Sequence, residues 1–264
     1  MTEHNFARLM LSKNEIKFLN ALKQKKFRNE HGLFIAEGEK IINDLLKSTI
    51  NIRQVYATSE FIQTLPPSNT IEYIEIKSNE LERISSLTTA NSALAVCEIP
   101  NHQLNIDSLK EQLTLVLDDI KDPGNLGTII RIADWFGIST IICSEETADA
   151  FNPKVVQATM GSIARIKIHY VQLTDFFQKQ KESINLPVYG ALLEGENVFS
   201  KKLSTNGFVV IGNESRGISI EIQQQLTDKI TIPSFSNAQK HGEAESLNAA
   251  IATAVICSEF RRHL

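Results

Sequence analysis

The sequence predicts an α/β protein of two domains, the second built on a mostly parallel sheet. Three observations carry that expectation. The chain of 264 residues is long for one domain and comfortable for two. A polar stretch that opens on proline, PNHQLNIDS, separates two halves, each alternating strand-like with helix-like runs. In the second half the strand-like runs are continuously apolar, the pattern of a sheet covered on both faces. The expected boundaries are 1–100 for the first domain, 101–112 for a linker and 113–264 for the second domain.

The first domain opens on a basic amphipathic helix over 12–26. Ile16, Leu19 and Leu22 recur at helical spacing, and Ser12 with Glu15 forms a capping-box pair. A short strand at 33–36 comes next, then a helix with the apolar stripe Ile41, Ile42, Leu45 and Leu46. IRQVYATS and TIEYIEI predict two further strands parted by the turn-rich LPPSN, and NSALAVCEIP a last one. In the second domain LTLVLDDI, STIICS, LPVYGALL and GFVVIG are strands, and a short one lies at 229–232. IIRIADWF, DFFQKQK and IEIQQQL separate them as helices. ESLNAAIATAVICSEF closes the domain as a helix whose Ala249, Ala250, Ala252 and Ala254 admit close approach of other backbone.

Composition narrows the function classes. Hydrophobic residues at 42% and charged residues at 22% are those of an ordered globular chain, which excludes collagen-like and disordered classes. The first residues lack a signal-peptide core, and no apolar run reaches the roughly 18 residues of a membrane span, so a cytoplasmic protein is expected. Cys97, Cys143 and Cys257 lie far apart without CxxC spacing or clustered histidines, which predicts reduced, buried thiols and no metal site. A net charge of −4 argues against nucleic-acid binding through bulk charge. Yet from Arg8 to Arg28 the basic residues Lys13, Lys17, Lys23, Lys25 and Lys26 meet only one acid, Glu15. That run reads equally as an anion-facing patch or as a solvated helix face.

In parallel sheets ligands sit at the carboxyl ends of strands, so the loops there are the ones to search. Three qualify: DDIKDPGNLGTIIR, GNESRGIS and IPSFSNAQKHGEAESLNAA. None has the GxxxxGK[ST] or GxGxxG spacing of a phosphate loop. In the first, Asn125 reads either as the cap of the next helix or as an amide that orients a neighbouring side chain. Arg131, between isoleucines, needs a partner or an anionic ligand, and a structural salt bridge is the commoner answer. In the second, Gly212 and Gly217 permit tight backbone geometry, and Glu214 either pairs with Arg131 or leaves its loop's backbone to a ligand. In the third, Ser246 fits an N-cap and Asn248 needs a hydrogen-bond partner.

NLGTIIR, IGNESRGIS and IP…ESLNAAIATAV, in that order, resemble the three signature motifs of the SpoU/TrmH-type RNA ribose 2′-O-methyltransferases of the SPOUT superfamily. The match runs from about Leu113 to Phe260. The first half, through KKFRNEHGLFIAEGEKIINDLL, is similar to the ribosomal-protein-like substrate-binding domain of members that act on rRNA. The resemblance implies a catalytic domain with a deep trefoil knot, S-adenosylmethionine held in the knot, an RNA substrate and a homodimer that completes the site. It implies cofactor contacts at Leu192, Gly212, Ile232 and Leu247. It gives Arg131 the activation of the ribose hydroxyl, with Asn125, Glu214, Ser246 and Asn248 in support. The two-domain layout favours rRNA over tRNA; an RNA-binding assembly factor without catalysis is disfavoured because Arg131, Asn125 and the SLN residues are all present. The chain departs from the family at Ser215, where glycine is usual, and in a lengthened connection over 234–245. His241 within it reads as a solvated loop residue more often than as a substrate contact.

Overall fold

The computed structural model describes residues 7–8, 10–235 and 246–262. The connection at 236–245, with His241, lies outside them. Two compact units emerge, one of residues through Asn101 together with Asp149–Ala164, the other of His102–Ala148 and the residues from Arg165 onward.

The first unit contains strand β1 (Ala7–Arg8), helices α1 (Lys13–Ala21) and α2 (Lys25–His31), and strand β2 (Leu33–Glu37). Helix α3 (Glu39–Leu46), β3 (Ile52–Ala57), α4 (Ser59–Ile62), β4 (Glu72–Glu75), α5 (Ser78–Ile84) and β5 (Ala93–Glu98) follow. The sheet runs β1-β4-β3-β5-β2, parallel from β1 to β3 and antiparallel across β5. Its core gathers Leu19, Leu22, Ile35, Tyr56, Leu81 and Ile84.

The helix expected over 12–26 is two helices. The capping box forms as expected, Ser12 Oγ accepting from Glu15 N and Glu15 from Ser12 N. The helix then ends at Leu22 and restarts after Gln24, which is extended. Arg28 explains the break: it is 1% exposed and donates to the Leu22 carbonyl that the helix end frees, 2.9 Å, and to Asp149. Asp149 opens the excursion carrying α7 (Pro153–Thr159), and Phe151 packs on Phe34 at 4.9 Å between ring centroids. The basic run is therefore not one face. Arg28 is internal and Lys23 donates to the Ser85 carbonyl, while Lys13, Lys17, Lys25 and Lys26 are exposed.

The second unit holds β6 (Leu113–Asp118), α6 (Pro123–Trp135), β7 (Thr140–Ser144), β8 (Lys167–Val171), α8 (Leu173–Ser183) and β9 (Val188–Asn197). β10 (Gly207–Gly212), α9 (Ile220–Gln223), β11 (Asp228–Thr231) and α10 (Ala249–Arg261) complete it. The sheet is parallel throughout, in the order β11-β9-β10-β6-β7-β8. One face packs Val116, Ile142, Phe208 and Val210 against Phe176, Phe177 and Ile222 of α8 and α9. Helices α6 and α10 pack on each other, touch β7 and β10, and give no side chain to that cluster. Both faces of the sheet are thus covered, which is why its central strands are buried along their whole length. Leu109, in the stretch expected as a linker, lies in this core at 1% exposure.

Strand β9 is irregular where it matters. Lys229 of β11 faces Gly190, yet the next residue, Ile230, faces Glu196, so residues 191–195 have no ladder partner. A Cβ on Gly195 would lie 2.8 Å from the Lys229 carbonyl carbon, so only glycine lets β9 rejoin β11 there. Thr231 Oγ1 donates to the Leu193 carbonyl at 3.0 Å and pins the arch.

Candidate active site

Strands β6 and β10 are neighbours in register, with Asp118 opposite Gly212, so their loops leave the sheet side by side. Beyond Gly212 the chain folds back at once: Asn213 and Gly217 exchange backbone hydrogen bonds of 3.0 and 2.9 Å. A Cβ on Gly212 would fall 2.2 Å from the Gly217 carbonyl carbon, and Gly217 itself has φ 69°. Glycine at 212 is a requirement of the turn, and glycine at 217 suits its left-handed backbone. Asp118 secures its far side by accepting from Ser219 N at 2.7 Å.

The turn presents Glu214 to the start of α6. The cap of that helix is Asp122, whose Oδ1 accepts from Asn125 N at 2.7 Å, with Pro123 at the first position. Asn125 is therefore not the cap, and its amide is free for other work. Its Nδ2 donates to Glu214 Oε1 at 2.9 Å, and Lys121 N and Asp122 N approach the same carboxylate at 3.4 Å each. Asn248 supplies the third member. Its Oδ1 caps α10 through Ala250 N and Ile251 N, while its Nδ2 donates to Asn125 Oδ1 at 2.8 Å. The chain Asn248–Asn125–Glu214 thus joins all three stretches. Ser246, expected as the cap, is not; it is exposed beside the cleft.

Arg131 stands apart. It is exposed on α6 and its side chain makes no hydrogen bond or ion pair with another described residue, so neither the salt bridge nor the pairing with Glu214 forms. Six positions beyond Asn125 at about 100° each put it roughly 240° around the helix, away from the amide chain. It shares its face instead with Trp135, one turn on, which is 86% exposed.

Next to the amide chain opens a cleft of about 490 Å³. Leu192 on the β9 arch, Gly212, Ile232 and Leu247 all line it, as do Ala249 and Ala252 of α10. The small side chains of Ala249 and Ala252 bring the α10 backbone to the cleft wall; Ala250 and Ala254 do not line it. The walls are largely apolar with strand-end backbone groups between them, the build of a site for a small organic ligand, and the volume suits one. Thiolate chemistry is not available: burial pushes the thiols of Cys97 and Cys143 up, and that of Cys257 up to about 12. Among the described residues no group of histidine, cysteine or acidic side chains could hold a metal ion.

Residues 112–258 match the family model of the SpoU rRNA methylases, more than half of the chain and every residue of the amide chain and the cleft. The chain belongs to the SpoU rRNA methylase family. Residues 13–95 match a second model, the MRM3-like substrate binding domain. Among relatives, the SpoU chain is 28% identical to the 23S rRNA (guanosine(2553)-2′-O)-methyltransferase RlmP of Bacillus subtilis, over 95% of this chain and 97% of that one. A solved TrmH-family chain from Porphyromonas gingivalis superposes with a TM-score of 0.87 at 38% identity, covering 97% of this chain and 100% of that one. An rRNA methyltransferase from Sinorhizobium meliloti, solved with AdoMet bound, gives 0.81 at 29% identity over 97% of each.

Asp122, Pro123, Gly124 and Asn125 read in the sequence as turn chemistry, and the Asp-Pro pair within them is also a helix-start signal that places the cap at Asp122. Asp118 and Asp119 carry no such mark.

Proposed function

We propose that the chain transfers a methyl group from S-adenosylmethionine to a ribose 2′-hydroxyl of ribosomal RNA. The observation that carries the reading is the hydrogen-bonded chain Asn248–Asn125–Glu214 at the edge of the cleft, because it unites three stretches of sequence at the ends of parallel strands. The names of the RlmP relative and the AdoMet-bound neighbour support it.

The cleft fits the cofactor by size and by its apolar walls, and Leu192, Gly212, Ile232 and Leu247 would hold it there. When bound, S-adenosylmethionine supplies an activated methyl on a sulfonium. The protein's own task is to place the ribose oxygen and to manage its proton. An arginine is a poor base, since its pKa exceeds about 12. Arg131 therefore holds an RNA phosphate or the developing alkoxide, and the proton leaves to that phosphate or another group. Glu214, Asn125, Ser246 and Asn248 keep the loops around the reacting atoms in place.

Arg131 reaches no group of its own cleft, and it shares a helix face with the exposed Trp135, while Ile251 of α10 is 56% exposed. A homodimer through α6 and α10 would cover both apolar residues and carry Arg131 towards the partner's cleft. The first unit, with exposed lysines on α1 and α2, acts as the rRNA-binding domain, in line with its family match. A trefoil knot at the C-terminal segment agrees with a cleft built from the ends of β9, β10 and β11 together with α10. Among the described residues no helix is long and apolar enough to cross a membrane.

The test is to map 2′-O-methylation in rRNA from cells with and without the gene, then to repeat the transfer with purified protein. One ribose methyl is expected to vanish with the gene; methylation of a base instead would overturn the reading.

A further inference from the structure

Asp119, the first residue beyond β6, has a left-handed backbone with φ 63°, a conformation uncommon outside glycine. Its side chain is only 16% exposed, yet two cations meet on its carboxylate: Lys121 Nζ lies 2.5 Å from Oδ1, and Arg216 Nη2 is bonded to Oδ2. Asn213 Nδ2 donates to the Asp119 carbonyl at 2.8 Å, and Asn213 Oδ1 accepts from Arg216 N at 3.1 Å. The loops after β6 and β10 are thereby tied together at one acid.

Both cations face solvent, Lys121 at 53% and Arg216 at 75%. An ammonium has three N–H donors and a guanidinium five. Among the described residues Lys121 donates one hydrogen bond, to the Glu146 carbonyl at 2.6 Å, and meets Asp119 Oδ1 as an ion pair, while Arg216 donates one to Asp119 Oδ2. Part of the ammonium and most of the guanidinium fork stay unused. The acids of these loops, Asp119 and Glu214 among them, offset the two cations overall, but the exposed fork with a point charge beside it suits the oxygens of a phosphodiester. The location fits as well: the backbone N–H of Lys121 touches Glu214, the acid that holds Asn125. In a chain of net charge −4, RNA affinity at this edge has to come from such local cations.

We propose that Lys121 and Arg216, presented by Asp119, bind a backbone phosphate of the RNA next to the ribose that is methylated, with Asp119 as the positioning residue. This rests on the RNA substrate proposed above.

The experiment measures binding of an unmodified 23S rRNA transcript against salt for the wild type, Lys121→Ala, Arg216→Ala and the double variant. Each removed cation should lower the log–log salt slope by about 0.7 to 0.9, and the double variant should raise the RNA KM about tenfold or more. Arg216→Lys should restore the slope. Asp119→Asn keeps both charges, so its slope should equal the wild type's while kcat/KM falls. Far-UV circular dichroism and a thermal melt that match the wild type certify that each variant is folded, because Arg216 itself lines the cofactor cleft. Slopes equal to wild type in both single variants and the double would reduce the pair to an ordinary loop-bracing ion pair and overturn the proposal. A wild type that transfers no ribose methyl would instead overturn the function, and the slopes would still decide whether these cations meet phosphate.

Discussion

At the scale of single residues, the site separates groups that hold from a group that reaches. Asn125 and Asn248 each use both ends of the side-chain amide, and between them they link Glu214 to the first turn of α10. Arg131 uses none of its donors on a described residue. Their substitutions should therefore differ in kind. Arg131→Ala should lower kcat by about 10²- to 10³-fold, the loss expected when a charge-stabilising donor is removed, with S-adenosylmethionine affinity nearly intact. Asn125→Ala should cost about 10²-fold through misplacement and should also loosen Glu214. Single-turnover rates beside calorimetry separate the two; transfer retained by Arg131→Ala would remove Arg131 from the reaction. The sequence already marked these residues as a group, because polar residues after apolar strands have few structural uses. It could not tell which amide caps which helix, since Asp122, Asn125, Ser246 and Asn248 all have capping chemistry and only tertiary partners choose among them.

At the scale of elements, the long strands and helices were legible because burial on both faces leaves apolar runs of distinct period. β8 was not. It is an edge strand of mixed polarity, and His169 and Tyr170 interrupt its apolar pattern. The break between α1 and α2 was also illegible, because its cause is Arg28, whose partner Asp149 is 121 positions away. That pair offers a test of the excursion at Asp149–Ala164. Arg28 is 1% exposed and Asp149 14% by side chain, so Asp149→Ala strands a buried guanidinium with only the Leu22 carbonyl left. Removing one partner of such a pair costs about 3–5 kcal/mol. Urea unfolding of Asp149→Ala should show a loss of that size in the first unit. A loss below about 1 kcal/mol, typical of an exposed pair, would mean that the ion pair does not anchor the excursion.

At the scale of the whole molecule, the homodimer proposed above makes a testable prediction about Arg131. The cleft, Glu214, Asn125 and Asn248 belong together within one chain, while Arg131 sits about 240° around α6 from Asn125 on the face that carries Trp135. In a two-fold dimer the same patch meets itself, so an arginine directed at the partner is matched by one returned. Subunit mixing decides the matter. Arg131→Ala lacks the reaching group but keeps its cleft; Ile232→Glu puts a carboxylate into the cleft but keeps Arg131. Each homodimer should be inactive. If Arg131 acts across the interface, a mixed dimer has one intact site, built from the cleft of the first variant and the arginine of the second. Co-expression with two tags, followed by tandem purification of the mixed dimers, should then recover about half of the wild-type turnover per dimer. If Arg131 serves its own cleft, both sites of the mixed dimer are broken and turnover stays at the background of the parents. A protein that runs as a monomer in sedimentation at assay concentration would defeat the shared site outright, and would leave the exposure of Trp135 without a partner to explain it.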